Sequence, residues 1–89
     1  MSPNALANAD LFAALGDARR RRILELLAVA ERPVGALAAE LGIAQPSVTQ
    51  HLAVLREVGL VRSERRGTSS IYSLVREPLA GVTAWIEGL

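Results

Sequence analysis

Val48, Leu52 and Leu55 recur at positions i, i+4 and i+7. That spacing lines them up on one face of a helix. Interleaved with them are Gln45, Ser47, Thr49 and Gln50, which carry hydrogen-bond donors and acceptors but no charge. A glutamine amide can pair bidentately with an adenine edge, and a hydroxyl can serve a base or a phosphate. Pro46 and Ala44 offer only apolar contact, such as that with a thymine methyl. The same residues would suit an ordinary solvated first turn. Base reading is favoured by their setting, with four such groups opposite a clean apolar stripe, shortly after a glycine at position 42. Ala44 is the expected N-cap and a poor one, forgoing about 1 kcal/mol relative to serine.

The second group of chemically capable residues is basic. Arg19, Arg20, Arg21 and Arg22 are consecutive, and Arg62, Arg65, Arg66 and Arg76 form a second set offset by Glu64, although the formal net charge is only +1. There is no lysine. Arginine presents the better fork for phosphate, but a composition also rich in alanine explains its exclusive use equally well, so placement carries more information than identity. Arg65 and Arg66 stand just before Gly67, with Thr68, Ser69 and Ser70 after it. At a hairpin tip such residues can meet backbone phosphate or enter a minor groove; the plain alternative is a solvated hairpin. Arg20 and Arg56 are further phosphate candidates. Helical phase prevents all four of Arg19–Arg22 from facing one way, so the others are expected to pair with Glu25 or Asp17, and Arg62 with Glu64 or another acid across the sheet. Cations in a first helical turn oppose the helix dipole, which argues that some of these arginines have a use.

Much else is excluded. A chain of 89 residues is one domain, 1–89, and 51% hydrophobic residues make it a folded one. With no cysteine and a single histidine, His51, neither a disulfide framework nor a thiolate metal site is possible. Paired carboxylates, a nucleophile beside a base and a Walker-type phosphate loop are all missing, so no enzyme, metal or cofactor is expected. No apolar run approaches the length of a membrane span, and the start of the chain lacks the basic residues of a signal or transit peptide. A cytoplasmic protein is the expectation.

The elements that must position these residues follow from periodicity and punctuation. Leu6, Leu11, Phe12 and Leu15 mark a first helix, 6–15, that Gly16 can end. Asp17 is a good N-cap for a second, with Ile23, Leu24, Leu27 and Ala30 inward and a stop before Pro33. Val34–Leu41 is a third, with Leu37, Ala38 and Leu41 inward, left through Gly42; Ile43 is expected as a buried plug. The fourth opens at Gln45-Pro46-Ser47 and ends at Gly59. This is a helix, a tight glycine turn and a helix, the spacing of a helix-turn-helix. The period then changes: Leu60–Arg65 and Ser70–Val75 are strand candidates joined by Gly67-Thr68-Ser69, with Tyr72 toward the core. Pro78 opens a last helix, 78–88, whose apolar stripe is Leu79, Val82, Trp85, Ile86 and Leu89. The fold class is mainly α with a small β-hairpin wing, in the order α-α-α-α-β-β-α.

The segment Leu37-Ala38-Ala39-Glu40-Leu41-Gly42-Ile43-Ala44-Gln45-Pro46-Ser47-Val48-Thr49-Gln50-His51-Leu52, continuing to Val61, resembles the helix-turn-helix of the ArsR family of bacterial winged-helix repressors. Leu11 to Leu24 is similar to that family's N-terminal signature, and Arg65-Arg66-Gly67 with Tyr72-Ser73-Leu74 resembles its wing. The resemblance implies a homodimer that binds a pseudopalindromic double-stranded DNA operator and usually represses transcription. It places Gln45, Ser47, Thr49 and Gln50 as base readers and His51, Arg65, Arg66, Thr68, Ser69, Ser70, Arg20 and Arg56 as phosphate or wing contacts. For His51, a structural place at the helix-turn-helix seam and a phosphate contact both stand open. Leu11, Phe12, Leu15, Leu79, Val82, Trp85, Ile86 and Leu89, on the terminal helices, are the expected dimer interface, where a small-molecule or protein effector would act. Family members that sense metals carry thiolates where this chain has Val34-Gly35-Ala36-Leu37, so the usual ligand set is missing. The alternative function is a protein-interaction module on a winged-helix scaffold, without sequence-specific DNA binding.

Overall fold

The computed structural model describes residues 10–89. Residues 10–15 are helical and are termed α1. There follow α2 (Ala18–Val29), β1 (Arg32–Pro33), α3 (Val34–Leu41), α4 (Gln45–Glu57), β2 (Val61–Arg66), β3 (Ser69–Leu74) and α5 (Leu79–Glu87). Residues 6–9 of the expected first helix, Leu6 among them, lie outside the described residues.

Local chemistry sets most of the boundaries. Gly16 closes α1 with a hydrogen bond from its N–H to the Ala13 carbonyl at 3.1 Å. One residue on, the Asp17 carboxylate accepts from the Arg20 N–H at 3.0 Å and caps α2. α3 ends at Gly42, whose φ of 67° lies in the left-handed region and whose N–H reaches the Ala38 carbonyl at 2.9 Å. Any other residue would be strained there. α4 starts with no side-chain cap at Ala44, as expected from the sequence. It compensates in two ways: Pro46 removes one donor that would otherwise need a partner, and the Ser47 N–H bonds the Ala44 carbonyl at 3.1 Å.

Ile23, Leu37, Val48, Leu52, Leu55 and Leu60 are the largest fully enclosed side chains. They come from α2, α3, α4 and the approach to β2, so one core locks the helix-turn-helix to the strands. Leu41, Ile43, Tyr72, Leu74, Leu79 and Val82 pack against it, only partly buried. Ile43 is therefore a rim residue rather than a buried plug. Ala30, expected inward, is exposed, because the chain is already leaving α2 there for β1.

The sheet differs from expectation in one element. It has three antiparallel strands in the order β1-β3-β2. β1 is only two residues long, pairing Arg32 with Tyr72 and Pro33 with Ile71. Two residues show no alternation, and a proline argues against a strand except at an edge; here the strand is an edge. Arg32 also leans 3.8 Å from Glu40 of α3. The hairpin strands are shifted by one residue from the sequence expectation, and the tip is Gly67-Thr68, with Gly67 at φ 61°. Glycine with positive φ at the first of two loop residues matches the right-handed twist of the strands it joins.

Candidate nucleic-acid interface

α4 separates its two chemistries cleanly. Val48, Leu52 and Leu55 are sealed in the core, while Gln45, Thr49 and Gln50 are exposed and Ser47 is half-buried. All four expected base readers therefore lie on the first turns of one helix that the core holds by its opposite face. Gln45 leans toward α3: its Nε2 is 3.4 Å from where a Cβ on Gly35 would sit. His51 is half-buried on the flank, close enough to the start of α2 for its charge to act on Asp17. The Asp17 carboxyl is held below its ordinary range chiefly by the Arg20 N–H, partly opposed by desolvation, with His51 contributing in the same sense as Arg20. Arg56, in the last turn of α4, is exposed and makes no ion pair among the described residues.

The two wing arginines are not equivalent. Successive residues of a strand face opposite sides of the sheet. The register puts Arg65 opposite Ser70 on the face that carries Val61, Tyr72 and Leu74, and Arg66 opposite Ser69 on the other. Arg65 makes a single long hydrogen bond, from Nε to the Gly67 carbonyl at 3.4 Å. Arg66 is held by two acids: its two terminal nitrogens each donate to an oxygen of Glu31, and Nη2 also reaches Glu64 at 3.1 Å. Arg66 rather than Arg62 is thus the partner of Glu64. The Arg66 guanidinium holds the Glu31 carboxyl below its usual range, chiefly by hydrogen bonding. Thr68 and Ser69 are exposed and Ser70 is half-buried, and none of their hydroxyls is engaged among the described residues.

The run Arg19–Arg22 divides in a way the sequence did not reveal. Arg20 donates from Nε to the Ala14 carbonyl at 2.7 Å and from Nη2 to the Ala13 carbonyl at 3.2 Å, while Arg21 donates to the Leu15 carbonyl at 2.9 Å. These are the last carbonyls of α1, beyond the reach of its regular hydrogen-bond ladder; the Ala13 carbonyl also accepts from Gly16. Arg22 lies 3.4 Å from Glu25, as the sequence suggested. Arg20, expected at phosphate, therefore ties α1 to α2 in the folded chain. Backbone acceptors carry no residue signature, so sequence offers only the indirect signal of cations at the wrong end of a helix.

The expected dimer face also divides. Leu11 is only 4% exposed and belongs to the chain's own core, and so is corrected from interface to core. Leu15, Leu79 and Val82 pack partly against that core. Phe12 meets Trp85 edge to face, with ring centroids 5.2 Å apart, joining α1 to α5. Trp85, Ile86 and Leu89 are 54%, 56% and 87% exposed, a contiguous apolar end on the last helix. No group of three or more acidic or histidine side chains is poised to hold a metal, and no helix is long and apolar enough to cross a membrane, among the described residues.

Comparison with known proteins places this architecture. Residues 17–63 match the arsR family of bacterial regulatory proteins. The chain is similar to the HTH-type transcriptional regulator KmtR of Mycobacterium tuberculosis, with 46% identity over 68 residues covering 76% of this chain. It spans 52% of KmtR, about half that relative's length. It is also similar to the transcriptional repressor SdpR of Bacillus subtilis, 31% identical over 86% of each chain. Among solved structures it superimposes on the homodimeric winged helix-turn-helix DNA-binding domain Mb0332 of Mycobacterium bovis, with a TM-score of 0.80, 32% identity, and coverage of 98% of this chain and 84% of that one. Helix-turn-helix, three-stranded wing and matched relatives agree: the chain belongs to the ArsR family of bacterial regulatory proteins, which are transcriptional regulators rather than enzymes.

Proposed function

We propose that this chain is a homodimeric regulator that binds a pseudopalindromic double-stranded DNA operator through α4 and the 65–70 hairpin, and represses the gene it controls. The observation that carries this is the two-faced α4, whose buried stripe leaves Gln45, Thr49 and Gln50 exposed and Ser47 half-buried on its first turns. A helix of this kind presents its first turns to base edges in the major groove while neighbouring groups grip the backbone. His51, Arg56, Arg65 and the wing hydroxyls of Thr68, Ser69 and Ser70 serve phosphate. The exposed Trp85, Ile86 and Leu89 with Phe12 support pairing of two copies; tryptophan is enriched in such interfaces, and the similar Mb0332 domain is homodimeric. Two-fold symmetry would set the two α4 helices about 34 Å apart, one turn of DNA. The repressor role is taken from the similarity to SdpR. An effector, small molecule or protein, would act at the dimer face, since a change there moves both reading helices together.

Fluorescence anisotropy against duplex from the chain's own promoter region, beside a scrambled duplex, tests the reading. Selective binding at two protomers per site is expected. With about 6–10 phosphate contacts, affinity should fall about 10³–10⁵-fold between 50 and 200 mM salt. Gln50→Ala should relax preference at one base pair per half-site by about 1–3 kcal/mol. Equal, weak binding to both duplexes would refute sequence-specific regulation.

A further inference from the structure

Arg65 and Arg66 are adjacent in sequence and identical in type, yet they occupy different electrostatic surroundings. The outer face of the sheet carries Glu31, just before β1, then Ile71 on β3, then Glu64 and Arg66 on β2. Arg66 spans this face, crossing the central strand to reach a residue 35 positions away in sequence. Both terminal nitrogens are engaged by the two oxygens of Glu31, and one is shared with Glu64. A single exposed ion pair holds little, but a fork matched to both oxygens of a carboxylate and buttressed by a second acid is the arrangement in which such a pair gains geometric definition. Glu31 and Glu64 together occupy the Arg66 fork, so a phosphate would have to displace a carboxylate to reach it. Arg62, on the same face, adds its charge to the field that holds Glu31. Arg65 is on the opposite face with no carboxylate partner, and both its terminal nitrogens are unengaged among the described residues.

We propose that Glu31 and Glu64 hold Arg66 as a strut that braces the hairpin across the sheet, so that of the two wing arginines Arg65 alone serves the DNA backbone. This rests on the DNA-binding reading above and assigns a wing-positioning role to Glu31, a residue outside the hairpin. The decisive quantity is the slope of log affinity against log salt, which counts phosphates neutralised and is insensitive to a uniform loss of affinity. Arg65→Gln should flatten the slope by about 0.9 per protomer. Arg66→Gln should leave the slope unchanged even where it weakens binding by loosening the wing. Equal flattening by both variants overturns the assignment. Should the wild type bind no duplex in a salt-dependent way, the DNA reading fails, and the strut is then decided by NMR titration of the Glu31 carboxyl carbon. A midpoint below the ordinary glutamate range in the wild type that returns to it in Arg66→Gln, but not in Arg65→Gln, sustains the strut; a midpoint indifferent to Arg66→Gln overturns it.

Discussion

α4 and α5 are both amphipathic helices with an apolar stripe at helical spacing, and the molecule treats them oppositely. In α4 the stripe is consumed: Val48, Leu52 and Leu55 are at most 1% exposed. In α5 no residue is fully buried, and Trp85, Ile86 and the adjoining Leu89 stay largely in water. The difference lies in their neighbours. α4 is surrounded by α2, α3 and β2. α5 touches the core through Leu79 and Val82 and meets α1 through Phe12, then runs past the end of the core. A small domain has too little interior to cover every apolar stripe it contains. The stripe covered from within builds the fold; the one left uncovered is where a second copy would be stabilising.

The contrast can be broken at either helix, and the effects should differ in kind. The largest is expected from Leu52→Ala in α4. It removes a fully enclosed side chain and should cost about 2–5 kcal/mol of folding stability, a large share of the roughly 5–15 kcal/mol typical of a folded domain. Chemical denaturation followed by circular dichroism would show a lower midpoint, and an unchanged midpoint would mean that α4 is not the keystone of the core.

Next comes Trp85→Glu in α5. It should leave the helical spectrum largely intact yet weaken self-association by about 30-fold or more, the effect of an interface hot spot of about 2 kcal/mol. Operator binding should fall with it. Sedimentation that reports the same species for wild type and variant would remove the distinction between the two helices.

The smallest effect concerns the start of α2, where the Asp17 carboxylate accepts from the Arg20 N–H and caps the helix. The folded carboxyl titrates below its ordinary value, so its contribution is fully present at neutral pH and is lost as the pH falls through the acid end of the carboxylate range. Asp17→Asn keeps the capping geometry but removes that ionisation. Its thermal midpoint should therefore decline less steeply than the wild type's in acid. Parallel curves for the two proteins would show that the cap's charge contributes nothing.

How much of this could be seen in the sequence depends on the range of the interaction. The bounds of α3 and α4, the left-handed turn at Gly42, the inward stripe of α4 and the Asp17 cap all follow from backbone preferences and the helical period, which act over a few neighbouring residues. The glycines at 59 and 67, with φ of 79° and 61°, likewise mark where α4 and the hairpin must turn. So α4 and its polar first turns, with Gln45, Ser47, Thr49 and Gln50, were legible in the sequence itself. Tertiary structure decided the rest. β1 exists only because Tyr72 and Ile71 offer it an edge. Arg20 is drawn to the carbonyls of α1, acceptors that every residue type presents. Leu11 goes into the chain's own core while Trp85 and Ile86 stay out, because enclosure depends on which surfaces meet and not on the periodicity of either helix. Arg65 and Arg66 part company because strand alternation sends them to opposite faces and a glutamate from a distant part of the chain awaits only one of them.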